Sequence, residues 1–130
     1  MNIFLALPKA TTDEKAESYK QVVKNMTQGK ATITTSKEDF TSNFAQSGSW
    51  DSWIGDVAEG IDFVTRKPKY QAIICVERIV GRATAQIVER SLSAKKIVTL
   101  LEDGMVRQIT NVKTVDENNW ISGWELCEST

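Results

Sequence analysis

Residues 70–104, YQAIICVERIVGRATAQIVERSLSAKKIVTLLEDG, constrain the fold most. An apolar run, Ala72-Ile73-Ile74-Cys75-Val76, stops at Glu77-Arg78. Gly81 and a helical pattern follow, then a second apolar run over residues 97–101 that stops at Glu102-Asp103-Gly104. Strands that are apolar at successive positions need both sheet faces covered. Two of them joined through a helix predict a right-handed parallel crossover. The expected class is α/β: a three-layer, Rossmann-like, mostly parallel sheet. In such sheets ligands sit outside the carboxyl ends of the strands.

The flanking segments extend this pattern. Residues 2–7, NIFLAL, read as a first buried strand ended by Pro8. Thr11 or Thr12 caps a helix with Asp13 and Glu14 in its first turn. Its apolar positions return at helical spacing through Met26, and Gly29 is a natural stop. Residues 31–35, ATITT, suit an edge strand. Residues 36–40 read as a short turn and 45–49 as a loop. Trp50, Trp53, Ile54, Val57 and Ile61 mark another helical stripe. After the second apolar run, residues 105–112 and 120–126 predict a C-terminal β-hairpin around the polar turn Asp116-Glu117-Asn118-Asn119, with a bulge at Gly123.

One hundred and thirty residues suit a single domain spanning 1–130. Sixteen Lys and Arg against seventeen Asp and Glu leave no overall basic excess that would draw the chain to nucleic acid. With no His and two dispersed cysteines, no zinc site is expected; a carboxylate site for magnesium stays open, and no metal ligand is assigned. Cys75 and Cys127 read as free thiols of a reduced compartment. No run is long enough to cross a bilayer. A cytoplasmic protein without a membrane partner is expected, and no cofactor is called for.

The strand ends place Pro8, Lys9, Thr11, Thr34, Thr35, Glu77, Arg78, Gly81, Arg82, Thr84 and Asp103 on the functional rim, and of these Pro8, Lys9, Thr11, Thr34, Gly81, Arg82 and Thr84 are the candidate ligand-binding residues. Amides opening the Arg82 helix, with the Arg82 and Thr84 side chains, suit a phosphate or carboxylate. Trp50 suits a nucleobase wall, with Trp53 in the core, and Asp51 and Asp56 are additional candidates where this helix faces the cleft. Glu77 and Glu89 are the candidate catalytic carboxylates, able in type to serve as nucleophile or general base. The stretch has neither the dinucleotide-binding glycine pattern nor a phosphate-loop ending. Trp120 and Trp124 share a strand face that could meet a protein partner.

The opening IFLALP, with YQAIIC and GRATAQIVERSLSAKKIVTL, resembles the nucleoside 2-deoxyribosyltransferase-like fold and related nucleotide-binding Rossmann-like domains over residues 2–102. The resemblance implies a nucleotide or nucleoside-like ligand, and a helix carboxylate that attacks the sugar carbon of an N-glycosidic bond. The usual small-residue, Thr, Ala, any residue, Glu sequence aligns with Ala83-Thr84-Ala85-Gln86-Ile87. Ile87 therefore stands at the nucleophile position and cannot perform that reaction. Glu89 lies two residues later in a different helical direction.

Three readings follow. The first is a nucleotide sensor or sequestering protein. The second is an N-glycosidase or deoxyribosyltransferase that uses Glu77 or Glu89. The third is a protein-binding module acting through Trp120 and Trp124. A homodimer could complete the site in the first two.

Overall fold

The computed structural model describes residues 1–129. Four strands form the parallel half of a seven-stranded sheet: β1 (Asn2–Ala6), β2 (Thr32–Thr35), β3 (Ala72–Cys75) and β5 (Ile97–Glu102), in the order β2-β1-β3-β5. The antiparallel half adds β6 (Met105–Glu117), β7 (Trp120–Glu128) and a two-residue edge strand, β4 (Ile79–Val80). The sheet is thus mixed but mostly parallel, ending in the β6-β7 hairpin.

Strand alternation divides the core into two layers. Ile3, Leu5, Ala72 and Ile74 face one way and pack with Tyr19 and Val23 of α1 (Asp13–Met26). Phe4, Ala6, Ile73, Cys75, Val98 and Leu100 face the other way. They meet α2 (Ser36–Ser47), α3 (Trp50–Glu59) and α4 (Arg82–Ser93) through Phe40, Phe44, Trp53, Ile54, Val57, Ile87 and Val88. Helices on both faces explain why the central strands carry no polar alternation. Each fully buried large side chain in these layers contributes about 1.5–3 kcal/mol.

Residues 36–47 differ from the expected short turn and loop, because they form one continuous helix. Thr35 and Glu38 make a reciprocal capping box, and Gly48 closes the helix in a left-handed conformation at φ 84°. The middle of this helix, Thr41-Ser42-Asn43, is polar, which hides its period. Only Phe40 and Phe44, one turn apart and stacked at 4.5 Å, carry its apolar side.

The bulge expected near Gly123 lies between the Val115–Gly123 and Asp116–Ile121 pairs. A Cβ at Gly123 would come within 2.9 Å of Ile79 Cγ2, so the glycine lets β4 lie against β7. Nothing in the local pattern of Ile79-Val80 announces a strand; its partner in β7 lies more than forty residues away.

Candidate functional site

The chain leaves β1 for β2 on one side and returns to β3 on the other, so the crossover direction reverses between β1 and β3. That switch point opens a crevice at the strand carboxyl ends. A cleft of about 840 Å³ lies there. Its lining includes Leu7, Pro8, Lys9 and Thr11 from the β1–α1 connection. Thr35, Ser36, Phe40 and Thr41 come from the start of α2, Trp50 and Trp53 from α3, and Gly81 to Thr84 with Ile87 from α4.

Two anchors fix the rim. The Ser36 hydroxyl donates to Leu7 O at 3.2 Å and accepts from Leu7 N at 3.0 Å, tying the end of β1 to α2. The Glu38 carboxylate accepts from Thr35 N at 3.0 Å and from Lys20 Nζ at 3.1 Å. Burial pushes the Glu38 carboxyl up, but the Thr35 bonds and the Lys20 ammonium outweigh it and hold it below its ordinary range.

One wall is aromatic. Trp50 is 55% exposed, and its ring lies 5.2 Å from Phe40, 5.0 Å from Phe44 and 5.9 Å from Trp53. Phe4 and Tyr70 continue the cluster inward. An aromatic cluster that leaves one tryptophan more than half exposed is a contact surface of the kind that meets a ligand or another protein.

The charges of the cleft are unequally engaged. Lys20 is paired with Glu38 and Lys37 with Asp13. Lys9 and Arg82 form no ion pair among the described residues, although both line the cleft. Thr12, Thr35 and Ser49 cap α1, α2 and α3 with side-chain oxygens, whereas Gly81 gives α4 no side-chain cap. The first amides of α4 thus have no side-chain acceptor at the cleft. Gly81 has an ordinary φ of −80°, so its backbone does not require glycine; a Cβ there would meet open space.

Of the residues singled out from sequence, Pro8, Lys9, Thr11, Trp50, Gly81, Arg82 and Thr84 come together on this cleft. Thr34 does not line it; its neighbour Thr35 does, since adjacent strand residues face opposite ways. Asp56 is exposed on α3 away from the lining. Glu77 and Glu89 are also exposed and outside it, while Ile87, the residue at the aligned nucleophile position, is 2% exposed and lines the cleft.

Sequence spacing did not reveal Asp39, which is 1% exposed. Its carboxylate accepts from Trp53 Nε1 at 2.9 Å and from the Tyr70 hydroxyl, and pairs with Lys69 Nζ at 2.9 Å. Burial pushes this carboxyl up, but those partners overcome it and hold it below the ordinary aspartate range. Burial, with the Asp39 charge and hydrogen bond, pushes the Tyr70 phenol up. The Trp53 ring that backs the cleft is therefore fixed from behind.

No protein-family model matches the chain, and no curated protein or solved structure matches it. The architecture is that of a generic Rossmann-like α/β fold and singles out no transferase family. Among the described residues no helix is long and apolar enough to cross a membrane, and no group of three or more His, Cys, Asp or Glu could hold a metal ion.

Proposed function

We propose that the cleft binds a nucleotide or nucleoside-like small molecule and holds it intact, as a sensor or sequestering protein does. One juxtaposition carries this reading: the open Trp50 ring and the unpaired Lys9 and Arg82 share one crevice at the switch point. A base stacks on Trp50, and Arg82, Lys9 and the opening amides of α4 take the anionic end. Turnover is not favoured, because Glu77 and Glu89 stand outside the crevice and Ile87 occupies the aligned nucleophile position.

Incubation with a panel of nucleosides and nucleotides, followed by native mass spectrometry, tests this. Retention of an intact ligand is expected, weakened about tenfold or more by Arg82→Ala and by Trp50→Ala. Release of a free base, lost in Glu77→Gln or Glu89→Gln, would establish the N-glycosidase reading instead.

A second reading rests on the hairpin, where Trp120 is 77% and Ile121 54% exposed. Such a tip suits a protein partner, although Trp124 is half-buried against β4. Loss of a partner on Trp120→Ala, with ligand affinity unchanged, would support it.

A further inference from the structure

Because β1, β2, β3 and β5 run parallel, the residues that precede them share one pole of the sheet, opposite the cleft. That pole carries the two most exposed bulky apolar side chains among the described residues, Phe63 and Val64, each 91% exposed. They stand on a loop between α3 and β3 that is held in one shape. Ile61 bridges Pro68, Lys69 N donates to Gly60 O at 2.8 Å, and Asp62 N donates to Lys67 O at 2.8 Å. The Asp62 carboxylate accepts from Val64 N and Thr65 N, both at 2.8 Å, so the one acid of the loop is engaged by its own backbone.

Glu59, exposed just before the loop, is paired with Arg90 at 3.2 Å, and, Asp62 apart, the charges at this pole that form no ion pair among the described residues are basic. Arg66 and Lys67 lie on the loop, Lys30 precedes β2 and Lys95 precedes β5. Ile97, 56% exposed at the start of β5, adds further apolar surface. In a chain of net charge −1, four cations without an ion pair among the described residues thus share one pole.

We infer that this pole docks on an anionic lipid surface, with Phe63 and Val64 entering the headgroup boundary and Arg66, Lys67, Lys30 and Lys95 meeting lipid phosphates. Apolar side chains projecting from a braced loop, with cations on the loop and on the same pole, combine the two contributions that bind a peripheral protein to such a surface. A protein interface fits less well, since lysine is depleted in such interfaces. A second copy placed pole to pole would bring like charges together. The expectation of no membrane partner rested on the lack of a spanning segment, which leaves peripheral docking untouched.

Co-sedimentation of the purified chain with phosphatidylcholine vesicles, with and without phosphatidylserine, tests this. Pelleting only with phosphatidylserine is expected, weakened about tenfold in the Phe63→Ser, Val64→Ser double variant and reduced by added salt or by Arg66→Ala with Lys67→Ala. These side chains face solvent, so unchanged circular dichroism is expected in all variants. No pelleting with phosphatidylserine vesicles overturns the proposal. Pelleting that the double variant leaves unchanged, or that Trp50→Ala abolishes instead, overturns it as well. A lipid-free dimer that the double variant dissolves would assign the pole to a second copy and likewise overturn it.

Discussion

The indole nitrogen of Trp53 donates to the carboxylate of Asp39 at 2.9 Å, joining the back of the cleft to a charge that is almost wholly buried. The Tyr70 hydroxyl and Lys69 ammonium complete the arrangement. The Asn43 amide donates to the same carboxylate at 3.2 Å, so removing the carboxylate leaves four polar groups without their acceptor.

Asp39→Ala should therefore destabilise the fold by about 3 kcal/mol, with a smaller loss for Asp39→Asn, which keeps an acceptor oxygen. Urea denaturation measures both. The folded-state pKa of Asp39 is depressed, so its contribution is present above the ordinary aspartate range and is lost as pH falls through the folded value. The native protein should lose stability on that acid limb, and Asp39→Asn should show a flatter one.

Cys75 is fully buried, and burial pushes its thiol up to about 12. Cys127 is only partly covered. A maleimide reagent at neutral pH should label Cys127 well before Cys75, and both at similar rates in denaturant. Peptide mass spectrometry over a labelling time course distinguishes the two.

Gly123→Ala should cost about 1–2 kcal/mol, because the added methyl meets Ile79 Cγ2 at 2.9 Å and a β-branched side chain cannot simply swing away. Pairing the change with Ile79→Ala should recover part of the loss. Thermal melts of the two single variants and the double variant give the coupling.

Arg78 contacts Glu102 at 2.7 Å, Glu128 at 2.9 Å and Leu126 O at 3.1 Å, clamping the end of β3 to β5 and β7. Arg107 faces the same two glutamates at 3.3 and 3.5 Å. The hydrogen bonds that Arg78 donates to Glu102 and Glu128 hold its guanidinium above its ordinary value. Arg78→Lys should not restore the forked geometry that Arg78→Ala removes. Faster amide exchange in β7 is expected in both variants, with a difference from the native chain that shrinks in high salt.

Local pattern alone determined the parallel half of the fold. The apolar runs of β1, β3 and β5, the capped start of α1 and the stripes of α3 and α4 are each written within about a dozen consecutive residues, where hydrophobic period and turn chemistry act directly. The same signals placed Pro8, Lys9, Thr11, Gly81, Arg82 and Thr84 near strand ends and Trp50 on a helix beside them, and these do share one cleft. Tertiary structure decided what short windows cannot encode. It turned the polar stretch of residues 36–47 into a helix and chose Thr35 over Thr34 for the rim. It also buried Asp39 against Tyr70, 31 positions away, and set Arg78 against Glu128, 50 positions away. Those partners meet only once packing has brought distant segments together, because a buried charge is tolerable only where every partner is already in place.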